Sequence, residues 1–241
     1  MEARSKPKLQ TTTLWYHPSA QYGDRPMGIP GYPGATPAWV VWNLLERYTR
    51  EGDLVVDPFC GGGTTIDVAR SLERRALGYD LQPQRPDVFR ADARKLPLEP
   101  GKADFVFMDP PYSTHLEYSG GEECIGELDA FGSEYFDAME RVFEEIDRIL
   151  RDRRYMAVYC SDSFKKKSGF VGIGSAFYAM LARRFRPIDH VVVVRGNRKL
   201  EKPNFHRAAA EQNFFLRGFN HLLIFKKERA KREPARDGRK S

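Results

Sequence analysis

Cysteine is scarce in this chain and long apolar runs are missing, and each gap removes a class of protein. Only Cys60, Cys124 and Cys160 occur among 241 residues. They are widely separated, odd in number and without CxxC or Cys/His ligand spacing, so neither a disulfide framework nor a zinc site is indicated and reduced thiols are expected. No apolar run approaches the roughly 20 residues of a membrane span. The first ten residues, MEARSKPKLQ, lack the apolar stretch of a secretory signal. The expectation is a soluble, cytosolic protein with no membrane partner. What is present, 41% hydrophobic and 12% aromatic residues, suffices for one α/β domain with a substantial core.

The formal charge of +6 sits mostly at the ends. Residues 226–241 contribute +5 and residues 1–9 contribute +2, leaving −1 for the body between them. Within the body, residues 117–147 hold eleven acids, whereas RGNRKLEKPNFHR, 195–207, holds five bases and one acid. The basic stretch and tails are candidate phosphate contacts; solvated ends are the plainer reading of the tails.

Strand-like and helix-like segments alternate along the chain, which predicts a mostly parallel sheet covered on both faces. After a Gly/Pro-rich stretch at 17–37, the spacing predicts a helix over 38–49, with Thr36 and Pro37 suited to its start. DLVVDPF (53–59) reads as a strand, GGGTT (61–65) as a turn into a helix at 66–72, and ALGYDL (76–81) as the next strand. Further strands are expected within 88–97, over 103–108, and at 155–162, 190–195 and 221–227, with helices over 133–150 and 175–185. Residues 228–241 read as a disordered basic tail.

The glycines come directly after a strand, where they allow a sharp turn and close approach to a ligand, and the following helix presents unpaired N–H groups. A dinucleotide fingerprint would need glycine where Ile66 stands, and a P-loop would need lysine before the Ser/Thr, so neither fits. Asp80 ends the second strand, where a carboxylate can accept from two ribose hydroxyls; Asp92, at the third tip, could accept from an adenine amino group. Each acid alone also fits a turn or helix cap. Together they indicate an adenosine-containing cofactor.

ADFVFMDPPY, 103–112, runs as an apolar strand and stops on a carboxylate, two prolines and a tyrosine. Pro110 and Pro111 cannot donate to a ladder, and each restricts the residue before it to extended geometry. Asp109, Pro110 and Tyr112 are thus held stiffly at a strand tip, which suits fixing polar atoms against a ligand.

VVDPFCGGGTT (55–65), GYD (78–80) and DPPY (109–112) together resemble the S-adenosylmethionine-dependent amino-methyltransferases that modify N4 of cytosine or N6 of adenine. The resemblance covers most of 35–227. It implies an α/β fold of the Rossmann-like class I methyltransferase type, a mostly parallel seven-stranded sheet with a C-terminal antiparallel strand, preceded by an irregular arm over 1–34. It implies S-adenosylmethionine as cofactor, bound by Asp57, Phe59, Cys60, Gly61, Gly63, Thr64, Asp80 and Asp92, with TPAWVVWNLL from Thr36 as an additional cofactor-binding segment. Catalysis falls to Asp109, Pro110, Pro111 and Tyr112: the carboxylate and the Pro110 carbonyl accept both N–H bonds of the amine, and Tyr112 stacks on a base swung out of its helix. No metal is required, and Cys60 and Cys160 read as packing residues.

Lys165, Arg195, Arg198, Lys199 and Arg207 are candidate phosphate contacts. Trp15, Tyr16, His17 and Tyr22 form an aromatic entry that could floor a base pocket, with covering a sheet edge the plainer expectation. Family members with this motif order carry a sizeable target-recognition region after DPPY, for which little length remains here. Recognition must come from 113–132, 195–220, the N-terminal arm or a partner. DNA is the first choice of substrate, structured RNA the rival, and a non-catalytic binding module the reading from another class.

Overall fold

Period-2 alternation along the central strands assigns each sheet face its own core. The computed structural model describes residues 7–16, 19–112, 124–165, 168–195 and 202–228. In the strand Ala103–Met108, here β5, Phe105 and Phe107 point to one face and Val106 and Met108 to the other. The strand Leu150–Cys160 (β6) divides likewise, Ala157 and Tyr159 against Met156, Val158 and Cys160. Both faces are buried, so β5 reads as a continuous apolar run rather than an alternating one.

The remaining strands are β1 (Leu14–Trp15), β2 (Leu54–Asp57), β3 (Arg75–Asp80), β4 (Val88–Arg90), β7 (Ser163–Lys165), β8 (Gly169–Val171), β9 (Arg186–Val194) and β10 (Phe219–Lys226). The main sheet runs β1-β9-β10-β6-β5-β2-β3-β4, and β7 pairs with β8 in a separate hairpin. Every neighbouring pair in the main sheet is parallel except those made by β10, which lies antiparallel to both β6 and β9. This is the expected architecture with one addition. Eight strands are present rather than seven, because Leu14 and Trp15 leave the N-terminal arm to pair with Val192 and Val193. Burial of the Trp15 ring at the sheet edge and the bond from its indole N–H to the Thr12 carbonyl hold that short strand.

Helices α1 (Ala38–Tyr48) and α2 (Thr64–Ser71) cover the Phe105 face, packing Trp39, Val40, Leu44, Leu45 and Val68 against it. Helices α3 (Ser133–Ile149) and α4 (Ile173–Ala182) cover the other, with Met139, Val142, Phe143, Ile146, Phe177 and Leu181. A fifth helix, α5 (Pro203–Glu211), lies in the β9–β10 connection and was not apparent in the sequence. Its only buried residue is Ala209, so it has almost no apolar period to read. All three cysteines are free and buried. Among the described residues no helix is long and apolar enough to cross a membrane.

Strand order decides where a ligand can sit. From β2 the chain builds outward through β3 and β4, then returns to place β5 and β6 on the other side of β2. The sheet edge at which these strands end therefore opens a crevice between β2 and β5.

Candidate functional site

Four acids end up around that crevice because four parallel strands end there. Asp57 closes β2, Asp80 closes β3, Asp92 follows β4 and Asp109 follows β5. All four line one cleft of about 1250 Å³, together with Thr36, Phe59, Cys60, Gly61, Thr64, Pro110, Pro111, Tyr112 and Arg195. Of the cofactor and catalytic residues singled out from the sequence, all but Gly63 line this cleft.

The glycine loop is tied to the strands on either side. Asp80 accepts from the Gly61 N–H and the Gln82 N–H, both at 2.9 Å, and Asp57 accepts from the Phe59 N–H at 3.0 Å. Gly63, at φ 83°, turns left-handed into α2; it lies against the Arg85 guanidinium and not in the cleft lining, where a cofactor contact was expected. The loop surface is flat enough that a Cβ on Gly61 or Gly62 would lie 2.9 or 2.8 Å from the Tyr32 ring. Tyr32, from the Gly/Pro-rich arm, thus lies across the glycines. The arm is docked by bonds from the Ile29 N–H to the Gly62 carbonyl and from the Gly28 N–H to Asp67.

Asp109 is held far from the usual carboxylate range. Burial pushes its pKa up to about 7, opposed by the Thr36 hydroxyl, which donates to its carboxylate at 2.5 Å, and assisted by the nearby Asp57. Asp57 is likewise pushed to about 7 by burial. Two neighbouring carboxyls that desolvation holds near neutrality form a place where a cationic ligand gains free energy. The Pro111 carbonyl accepts from the Tyr135 hydroxyl of α3 at 2.9 Å, pinning the turn. Among the described residues, none donates to the Pro110 carbonyl.

A second network steadies Tyr112. Arg195 donates to its hydroxyl at 3.1 Å and to the Asn220 side-chain oxygen at 2.7 Å, and Asn220 donates to Tyr159 at 2.5 Å. Burial, then the adjacent Asp109, pushes the Tyr112 phenol up to about 12, so it stays a neutral hydroxyl. Arg195 reaches the DPPY corner from the end of β9, more than 80 residues downstream in the chain.

Several sequence assignments change in detail. Thr36, expected in the cofactor-binding segment, donates its hydroxyl to Asp109 at the DPPY corner. Asp92 is gripped by Arg94 in its own turn, at 2.9 and 2.7 Å, which orients the carboxylate and makes the turn-cap reading true of it as well. Lys165 pairs with Asp129 at 2.8 Å and lies over the Phe131 ring, an internal engagement where a phosphate contact was expected. Arg195 lies in the cleft. Arg207 is exposed on α5, 3.8 Å from Glu211. His17, Arg198 and Lys199, and the tail from 229 onward, lie outside the described residues. The roles of Tyr32, Tyr135, Tyr159 and Asn220 gave no sequence signal, since each depends on a contact between distant segments.

Arg195→Gln is expected to lower kcat roughly tenfold, the scale of one lost charge-assisted hydrogen bond, with cofactor affinity unchanged. Because the guanidinium also restrains the rise in the Asp109 pKa, the rising limb of the pH–rate profile should move to higher pH. An unmoved profile would reduce Arg195 to a packing role.

The comparison with known families follows this geometry closely. The match to the N6/N4 methyltransferase family, described as DNA methylase, runs over residues 2–90 and 103–240. The chain belongs to this DNA methylase family. Among curated relatives, the chain is 39% identical over 51 residues to the type II methyltransferase M2.DpnII of Streptococcus pneumoniae, covering 21% of this chain and 19% of that protein. It is 25% identical over 108 residues to the type II methyltransferase M.MjaII of Methanocaldococcus jannaschii, covering 45% and 20%. The matched regions span about a fifth of each relative. Among solved structures, TrmN from Thermus thermophilus is 16% identical with a TM-score of 0.50, covering 81% of this chain and 50% of that one. Geranyl diphosphate C-methyltransferase from Streptomyces coelicolor A3(2) is 13% identical with a TM-score of 0.51, covering 82% and 83%. These likenesses establish the fold this chain shares with them.

Proposed function

We propose that this DNA methylase moves a methyl group from S-adenosylmethionine to the exocyclic amino nitrogen of a nucleobase in DNA, N4 of cytosine or N6 of adenine. The observation that carries the reading is Asp109, held by Thr36 at 2.5 Å beside the Pro110 carbonyl and Tyr112, in the same cleft as a glycine loop braced by Asp80.

The residues present fit the cofactor. The Tyr32 ring packs on the bare faces of Gly61 and Gly62 and itself lines the cleft, so a cofactor would meet the loop beside that ring. Each Asp80 oxygen bonds one backbone N–H and keeps a lone pair for a ribose hydroxyl. Asp57 and Asp109 supply the acidic surroundings that a cationic ligand favours. When bound, the cofactor supplies an electrophilic methyl group on a sulfonium.

An exocyclic amine is a poor nucleophile because its lone pair is delocalised into the ring. Asp109 and the Pro110 carbonyl, accepting its two N–H groups, draw the nitrogen toward tetrahedral geometry and stabilise the positive charge that develops there. On gaining a methyl group the nitrogen would carry one proton too many. Asp109, with a pKa near 7, is matched to take it and pass it to solvent. Tyr112, steadied by Arg195, offers its ring to the base.

Incubation with methyl-labelled cofactor and genomic DNA, followed by nucleoside mass spectrometry, should find the label in N4-methylcytosine or N6-methyladenine. Label confined to ribosomal or transfer RNA would replace DNA by RNA. Cofactor binding without transfer to any nucleic acid would overturn the enzyme reading.

A further inference from the structure

The cleft does not end at Tyr112. Its volume of about 1250 Å³ exceeds the roughly 300–1,000 Å³ typical of a single small-molecule site. The part not lined by the glycine loop or DPPY is walled by phenylalanines: Phe164 on β7, Phe205 on α5, and Phe214 and Phe215 in the segment that leads into β10. Strand order puts this wall on the β6–β10–β9 side, with Asp109 between it and the glycine loop.

The wall is built rather than loose. Helix α5 starts on Pro203 and stops at Gln212; Asn213 then takes φ 54°, and the Phe214 N–H bonds the Ala209 carbonyl at 3.1 Å, a closed helix end. That turn seats the Phe214 ring flat on Phe164, with centroids 4.9 Å apart and planes at 12°. The next residue is thereby forced outward. Phe215 lines the cleft yet is 85% exposed. Its carbonyl accepts from Arg217 at 2.6 Å, and Arg217 lies over the Phe170 ring, fixing the far side of the turn.

An exposed aromatic ring on a rigid support, in a catalytic cleft, with Lys202, Arg207 and Arg217 against the single acid Glu211 on the same segment, matches a partner with flat apolar faces and negative charge. Nucleobases on a phosphate backbone have both. In an intact duplex the neighbours of a flipped base stay paired inside the helix, so a neighbouring base is free to swing onto a second ring only in an unpaired strand.

Resting on the reading above, we propose that Phe215, backed by the Phe164–Phe214 pair, is a second stacking site that takes the nucleobase next to the target base in an unpaired DNA strand. The connection carrying α5 then serves as this methylase's own substrate-gripping element.

The test is binding of a fluorescently labelled DNA oligonucleotide, single-stranded and as a duplex, to the full chain without methyl donor, so that it stands or falls separately from methyl transfer. Phe215→Ala should weaken single-strand binding roughly 5- to 100-fold, the range for losing one base–aromatic stack. It should leave duplex affinity and the salt dependence nearly unchanged, since no phosphate contact is lost. Phe215→Trp should retain single-strand affinity and show indole quenching on binding. Single-strand affinity within twofold of the parent in Phe215→Ala, or equal loss on duplex, would overturn the stacking site. An RNA strand of the same sequence bound more tightly than DNA, with that advantage lost in Phe215→Ala, would overturn the assignment to DNA.

Discussion

Asp109→Asn should reduce methyl transfer by roughly 10²- to 10⁴-fold, the range for loss of a positioned acid–base group, while cofactor affinity stays within a few-fold. Asparagine keeps the size of the side chain and can still accept from Thr36, but it carries no charge to oppose the developing ammonium and cannot take its proton. On the proposed mechanism the carboxylate is the competent form, and burial raises its pKa to about 7. The rate should therefore climb with pH up to about 7 and level above it, falling tenfold per unit below. Single-turnover rates across pH, with cofactor binding measured in parallel, check both limbs. Transfer by the Asn variant at the parent rate would remove Asp109 from the mechanism.

The same residue links catalysis to stability. A carboxyl whose folded pKa lies above its unfolded value holds a proton that the unfolded chain has already released, so its contribution to stability is complete below about pH 4 and is lost as pH rises through about 7. Asp109→Asn removes that loss. Its melting temperature should match the parent's near pH 4 and exceed it above pH 7, a signature of an active site held under electrostatic strain.

Gly78→Ala should destabilise the fold by about 1–3 kcal/mol, the usual scale of overpacking, and loosen the cofactor side of the cleft at the same time. Gly78 is in β3, paired with Asp57 of β2. A Cβ there would lie 2.4 Å from the Cys60 sulfur and 2.5 Å from Cδ1 of Ile66. Both neighbours are buried, in the glycine loop and in α2, so neither has free space to move into. Relief must come from backbone, and the backbone nearest is the one that brings Asp80 within 2.9 Å of the Gly61 N–H. Denaturant melts should show the midpoint falling, with cofactor affinity falling too. Adding Cys60→Ala and Ile66→Val, which remove the two obstructing atoms, should recover part of the loss. If Gly78→Ala melts like the parent, the close packing of β3 on the loop is not what fixes Asp80.

Much of the fold was legible because its signals are local. Apolar strands of the right length, a glycine turn after the first of them, and the amphipathic period of α3 each declare themselves within a dozen residues. The short segments were not legible. Strand β1 has two residues and exists only because β9 presents an edge to it. Helix α5 buries little beyond Ala209 and so has no stripe to read. Asp92 and Lys165 show the opposite limit, since acids and bases picked for a ligand also find partners in the folded chain, Arg94 and Asp129.

The sequence alone determined the family, the sheet-with-helices architecture, and the acids and glycines that line the cleft, because each is carried by contiguous residues whose spacing constrains the backbone. Tertiary structure alone decided that Thr36 restrains Asp109, that Arg195 steadies Tyr112, and that Phe215 stands exposed on a stacked pair. Those contacts join residues 73 and 83 apart in the first two cases, and β7 to the α5–β10 turn in the third. No local pattern encodes them; they arise when the strand order gathers distant chain ends along one edge of the sheet.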